Sequence, residues 1–176
     1  DGTKAEEVQD LTEAVDADWD AIWPFFRDIV AAGESYAFPL GMTPEQARPW
    51  WMEQPPAQTF VAVVDGQVAG SAKAGPNRPG RGAHVATASF MVDPAYAGGG
   101  IGRALAQHVL AWATGQGYRA MQFNAVVETN TAAVSLWHSL GFTTIGVVPE
   151  AFDHPVHGYV GLLVMHRHLD PAATRS

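Results

Sequence analysis

Val92-Asp93-Pro94-Ala95-Tyr96-Ala97-Gly98-Gly99-Gly100-Ile101-Gly102-Arg103 is the stretch on which the fold turns. A β-type run, His84 to Val92, leads into it. Ile101, Leu105, Val109 and Trp112 then form one helical stripe that Gly115 and Gly117 end. A strand therefore passes into a helix through consecutive glycines. Such a turn lets backbone N–H groups converge, and the helix dipole adds positive potential, so it suits an anion such as a pyrophosphate. Taken alone, the same glycines serve equally well as a turn that needs backbone freedom. Two phosphate loops are excluded. G-x-G-x-x-G fails because the sixth residue from Gly98 is Arg103 and from Gly100 is Leu105, and the nucleotide-triphosphate loop fails because there is no Gly-Lys-Ser/Thr.

Working outward, Trp19, Ile22, Trp23, Phe26, Ile29 and Val30 recur at three- and four-residue steps and predict a helix over Asp16 to Ala32. Pro24 inside it predicts a kink or a late start. Thr43-Pro44-Glu45-Gln46 reads as an N-cap, a Pro in the first turn and a capping-box Gln. Thr59 to Val64 and Val68 to Ala74 flank Asp65-Gly66 and predict a tight hairpin. Gly75 to Gly82 reads as a surface loop. Downstream, Met121 to Val127 is strand-like, and Asn130 caps a helix carrying Ala133, Leu136, Trp137 and Leu140 that stops at Gly141. Thr143 to Val148 and Tyr159 to Met165 are the last strands, around a loop with Pro149, His154, Pro155 and His157. The order is two helices, a hairpin, then strand, helix, strand, helix, strand, strand. It predicts an α/β sandwich with a mixed sheet, not an all-parallel one.

The chain has 176 residues, which fits a single domain over 1–176. Ten Lys and Arg against eighteen Asp and Glu give a net charge of −8, which disfavours partners held by broad phosphate neutralisation, so no nucleic acid is expected. No apolar run approaches the roughly 18 residues that span a bilayer, so no membrane partner is expected. Asp1, Glu6, Glu7 and Asp10 are unlike a signal peptide. The absence of Cys excludes disulfides and thiolate chemistry and agrees with a cytoplasmic location. His154-x-x-His157 and His166-x-His168 have metal-compatible spacings, but no ligand cluster completes them. They read as solvated residues, and no metal is expected.

The glycine stretch gains meaning from its downstream company. Ala97-Gly98-Gly99-Gly100-Ile101-Gly102, then Asn130, Ala133, Trp137 and Leu140-Gly141-Phe142, resemble in order and spacing the two motifs of the GCN5-related N-acetyltransferase (GNAT) superfamily. The first of these is R/Q-x-x-G-x-G/A, and the resemblance covers nearly the whole chain. It implies a twisted mixed sheet of six to seven strands, flanked by about four helices and splayed between strands 4 and 5. It also implies acetyl-CoA as cosubstrate. Phe90, Met91, Val92, Ala97, Gly98, Gly99, Gly100, Ile101, Gly102, Arg103, Asn130, Ala133 and Trp137 would bind it, with the thioester carbonyl on a backbone N–H near Met91. Ala97 replaces the family's Arg or Gln, so backbone amides and Arg103 are left to hold the pyrophosphate. Trp137 replaces the Tyr that protonates the departing thiolate in many members, and an indole N–H is far too weak an acid for that role.

A narrower resemblance rests on Gly75-Pro76-Asn77, Phe90-Met91-Val92, Phe123-Asn124, Asn130, Trp137 and Gly146-Val147-Val148-Pro149. It is to fungal N-acetyltransferases acting on proline analogues such as azetidine-2-carboxylate. There too Trp replaces Tyr, and Asn side chains matching Asn124 and Asn130 line the acceptor site. Thr87 stands where that group has a further Asn. The implied catalytic set is Asn124, Asn130, Trp137 and Thr87, acting on a small-molecule amine or amino acid. The loop from Pro149 to His157 is a candidate lid over the acceptor. Glu34 and Tyr36 are candidates to face the acceptor, and His84 and Glu128 are side-chain candidates for the base, with water as the expected route. The alternative function is a catalytically weak acyl-CoA-binding sensor or interaction module. A homodimer stays open.

Overall fold

The hairpin read from Asp65-Gly66 is the centre of the sheet. In the computed structural model, which describes residues 8 and 10–171, β2 (Gln58–Val64) and β3 (Gln67–Pro76) run antiparallel through that turn. Asp65 and Gly66 both take positive φ, 48° and 75°, as a tight two-residue turn requires. β4 (Val85–Val92) continues the antiparallel run, so Gly75 and Pro76 lie in a strand and not in the expected surface loop. β1 (Asp10–Glu13) pairs with β2 at the edge; its polar Asp-Leu-Thr-Glu sequence carries no alternation to reveal it.

Four α-helices are described. α1 (Trp19–Ala32) starts five residues before Pro24, so the late start is not seen. It buries Trp19, Ile22, Phe25, Phe26 and Val30. Each such side chain contributes roughly 1.5–3 kcal/mol, which together outweighs the about 3 kcal/mol of an interior Pro. α2 (Pro44–Trp51) begins with the expected capping box, Thr43 and Gln46 each bonding the other's backbone N–H. α3 (Ile101–Gly115) leads to β5 (Ala120–Val127), and α4 (Thr131–Ser139) leads to β6 (Thr143–His154) and β7 (Gly158–His168). The seven strands are ordered β1-β2-β3-β4-β5-β7-β6.

Pro149 to His154 is strand, which corrects the loop expected there. The β6–β7 register breaks between Val148 and Phe152, with Glu150 at φ 53°, so Pro149 sits in a bulge of an edge strand where its missing N–H is tolerated. His154 is buried and not solvated. Its Nδ1 accepts from the N–H groups of Val156 and His157 and shapes the β6–β7 turn.

One face of the sheet packs under α3 and α4 around Phe60, Leu105, Val109, Phe123, Trp137 and Met165. The other packs under α1 and α2 around Phe26, Trp51, Val61 and Met91. Trp51 Nε1 donates to Ser71 Oγ (2.8 Å), and Ser71 Oγ donates to the Phe60 carbonyl (2.7 Å), pinning α2 to the hairpin.

β4 and β5 are the parallel pair. They pair only at Val85–Ala120 and Ala86–Met121, then separate. A bulge in β5, where Asn124 and Ala125 lie opposite Val164 alone, bends that strand as it leaves. No helix among the described residues is long and apolar enough to cross a membrane.

Candidate active site

The splay opens the candidate site. Hydrogen bonds from Asp93 N–H to the Ala69 carbonyl and from Asn77 N–H to the Val85 carbonyl bracket the β3–β4 ladder. By alternation, Val85, Thr87, Ser89 and Met91 turn their amides to β3, whereas Ala86, Ala88, Phe90 and Val92 turn theirs toward β5. Met91's own N–H is therefore committed to the sheet. The amides presented beyond the last β4–β5 pair include those of Phe90 and Val92.

α3 starts where β4 ends. A side chain at Gly70 would meet Ile101, Leu105 and the Met91 carbonyl at 3.0–3.1 Å, so its absence lets the helix lie close on β3. Asp93 accepts from Ala95 N–H (3.0 Å) and shapes the turn. Gly98 and Gly100 then take φ of 82° and 80°, with Gly100 as the α3 N-cap. This is the left-handed region that glycine adopts at little cost. Arg103 lines the same cleft, its guanidinium donating to Ser139 Oγ (2.8 Å) at the end of α4.

The wall between the diverging strands is aromatic. Trp137 lies 4.6 Å from Phe123 and 5.0 Å from Phe90, centroid to centroid, and is 7% exposed. It also meets Phe142 edge-on at 5.9 Å, so its contribution to the cleft is ring surface. Asn130 caps α4, its side-chain oxygen accepting from Ala133 N–H (3.3 Å).

The opposite sheet face, under α1 and α2, has different chemistry. The Tyr36 hydroxyl accepts from Phe90 N–H (2.9 Å) and donates to the Phe90 carbonyl, taking both groups that strand residue turns toward the splay. Burial pushes the Tyr36 phenol up to about 12, against a smaller opposing effect of its bond to Phe90, so it stays protonated near neutrality. Tyr36 stacks on Phe38 (5.4 Å), and Phe38 meets Trp50 edge-on (5.8 Å). Lys73 and Glu53 stand beside these rings. Across the mouth, Asn124 donates to Asn77 (2.6 Å) and accepts from Gln122 (2.9 Å).

A cavity of about 1140 Å³ runs between these groups, lined by Tyr36, Phe38, Lys73, Phe90, Asn124 and Trp137 among others. Of the residues expected from the sequence, Thr87, Phe90, Met91, Val92, Ala97, Gly98, Gly100, Ile101, Gly102, Arg103, Asn124, Asn130, Ala133 and Trp137 line it, and so do Glu34 and Tyr36. Gly99 does not. Nor do His84 and Glu128; Glu128 instead accepts from Gly161 N–H (2.7 Å) on β7. Sequence reasoning missed Lys73, Glu53 and Ser89, which no local motif marks and only the β3–β4 register and the end of α2 bring together. The expected lid from Pro149 to His157 contributes just Phe152, from within β6.

The sequence and the fold are both similar to those of known proteins. The sequence profile of the Acetyltransferase (GNAT) family matches residues 19–142. The chain is 28% identical over 160 residues to the N-acetyltransferase aca1 of Schizosaccharomyces pombe, covering 82% of this chain and 77% of that protein. Among solved structures, a GCN5-related N-acetyltransferase from Kribbella flavida is 62% identical, with a TM-score of 0.88 over 91% of this chain and 97% of the other. The structure of yncA from Salmonella typhimurium with its cofactor acetyl-CoA is 25% identical, with a TM-score of 0.81 over 92% and 94%. The chain belongs to the Acetyltransferase (GNAT) family and is an acetyl-CoA-dependent acetyltransferase.

Proposed function

We propose that the protein transfers the acetyl group of acetyl-CoA to the amine of a small molecule, most closely a proline analogue or other amino acid. The observation that carries this reading is that one cavity joins two unlike halves at the free edge of β4. On one side lie the α3 N-terminus and its positive-φ glycines, suited to a pyrophosphate; on the other lie Tyr36, Thr87 and Asn124. The likeness to the Schizosaccharomyces pombe N-acetyltransferase supports an amine as the acceptor, and the narrower acceptor class rests on the motif resemblance carried by Asn124, Asn130 and Trp137. The Asn124 and Asn130 amides offer donors and acceptors without a fixed charge, which suits a zwitterion.

In this reading the pyrophosphate sits on the amides from Gly98 to Gly102, with Arg103 alongside, and the thioester lies between β4 and β5. Phe90 N–H is held by Tyr36, so of the two splay-facing amides that flank Met91 it is Val92 N–H that can take the carbonyl oxygen, unless Tyr36 yields its bond on binding. A neutral amine attacks the carbonyl carbon, the C–N bond forms and the C–S bond breaks. The amine's surplus proton passes to water, and the thiolate, with a pKa of about 8.5, takes a proton from water. Trp137 shapes the site and donates no proton. A cysteine-free chain suits a reducing compartment, and the cytoplasm is the location this reading implies.

Thiol release from acetyl-CoA, compared across azetidine-2-carboxylate, proline analogues, spermidine and an N-terminal peptide, tests the reading. The small cyclic acids should have the highest kcat/KM, and Asn124→Ala should lower it. A peptide preference, or indifference to Asn124→Ala, overturns it. A second reading, an acyl-CoA sensor without turnover, is favoured by one observation: neither His84 nor Glu128 lines the cleft. Acetyl-CoA binding with no thiol release for any amine would establish it.

A further inference from the structure

The acceptor half of the cleft contains a cation that the transfer chemistry does not use. The sequence has two lysines, Lys4 and Lys73, and Lys73 lines the cavity. Among the described residues the cavity's other cation is Arg103, on α3 and bonded to α4. On β3, Lys73 shares a face with Ser71, which bonds Trp51 of α2, and pairs in register with Ser89 of β4. It therefore stands on the acceptor side, one residue along from the Phe90 edge that Tyr36 holds.

The Lys73 surroundings are partly dry and aromatic. The side chain is 21% exposed, and Nζ lies 5.9 Å from the Phe38 ring centre and 5.8 Å from that of Trp51. Nζ donates to the Trp50 carbonyl (2.6 Å) and to Glu53 Oε1 (3.1 Å). An ammonium has three N–H donors, so one remains. Binding the Trp50 carbonyl caps the end of α2 and fixes the ammonium. That structural task needs one donor and does not require a cleft-lining position. The acids of the cavity are Glu34 and Glu53, with Glu53 already paired to Lys73. An attacking amine must be neutral, so its nitrogen needs no anionic partner, and the third N–H of Lys73, whose charge Glu53 already shares, is left for an anionic part of the acceptor. A charge-assisted bond in such a setting is stronger and more selective than one to a neutral amide.

We propose that Lys73 is the specificity-determining residue of the acceptor subsite, binding a carboxylate carried by the amine acceptor through its third N–H. The inference rests on the small-amine reading above and narrows it: the substrate class is amino acids, not simple amines or polyamines.

The test uses matched acceptors with and without the carboxylate: azetidine-2-carboxylate and azetidine, L-proline and pyrrolidine, L-alanine and ethylamine. kcat/KM is referred to the free-amine fraction and measured for wild type, Lys73→Gln and Lys73→Arg. Wild type should favour the carboxylated member by about tenfold or more, as a hydrogen bond between charged groups allows. Lys73→Gln should bring the ratio near unity with KM for acetyl-CoA unchanged, and Lys73→Arg should keep part of it. Wild-type preference for the plain amines overturns the proposal. So does a fall in both members at constant ratio in Lys73→Gln, the outcome a merely structural cap would give. If no pair is acetylated, the small-amine reading has failed, and a binding arm decides Lys73 separately. Titration of tryptophan fluorescence with cyclobutanecarboxylate should saturate in wild type and not in Lys73→Gln; no saturable change in wild type overturns the carboxylate site.

Discussion

Tyr36 and Trp137 line the proposed site with opposite properties, one a polar atom and the other a surface. The Tyr36 phenol is raised to about 12 from an ordinary value of 10.0, so between those values the folded state retains a proton that the unfolded state has lost. Its stabilising contribution is therefore complete below pH 10, the unfolded value, and is lost as pH rises through the folded one. Urea melts of Tyr36→Phe should thus lose less stability than wild type between pH 10 and 12, although the variant starts lower because Phe90 loses its partner. An equal alkaline slope in both proteins would contradict this. For Trp137, the ring contacts with Phe90, Phe123 and Phe142 predict that Trp137→Phe melts lower yet keeps its rate within about tenfold, since no proton passes through the indole. A thousandfold loss in single-turnover rate, in folded protein, would assign the indole a chemical role.

Two helix starts make the next level testable. At α3, Gly100 has open space where a side chain would go, so its constraint is the backbone angle of 80° alone. Gly100→Val should cost roughly 1–2 kcal/mol and, by re-aiming the amides, should abolish the thermal shift with acetyl-CoA. A preserved shift would remove this turn from the binding site. At α4, Asn130→Ala should lower stability by about 1 kcal/mol through loss of the cap, and Asn130→Asp should restore it; calorimetry of the two variants checks both. Such features were legible because they are local. Thr43 to Gln46, Asp65-Gly66 and Gly98 to Gly102 state their own backbone geometry. β1 was not legible, because one Leu among three polar edge residues makes no alternation, and neither was the outer part of β6, where Pro149 reads as a break unless a bulge absorbs it. Lys73 and Glu53 were invisible for another reason: their significance comes from the register of β3 on β4 and from where α2 ends.

At the scale of the whole molecule, the proposed acetyl-CoA site is made of amides that are arranged only in the folded chain, so the cosubstrate should stabilise by mass action. At a hundredfold excess over Kd the gain is about 2.7 kcal/mol, and for a chain of this size that raises Tm by roughly 5–10 °C. A flat dose response in thermal melts would refute it. The two apolar layers meet on β2 and β3, whose central residues are buried, whereas β6 is exposed from Thr143 to Ala151. Local stability therefore grades across the sheet, with the slowest amide hydrogen exchange expected in the hairpin and the fastest strand exchange in β6. That gradient bears on the cleft, because its two walls are not equally anchored. β4 rests on the hairpin, while β5 is bonded along its far side to β7, and β7 to β6. The outer wall is thus attached to the part of the sheet that frays most readily. The width of the cleft is therefore the coordinate expected to be soft: a swing of the outer three strands would open the splay to a long cosubstrate and carry Asn124 of β5 with it, while Tyr36 and Thr87 stay with the anchored β4.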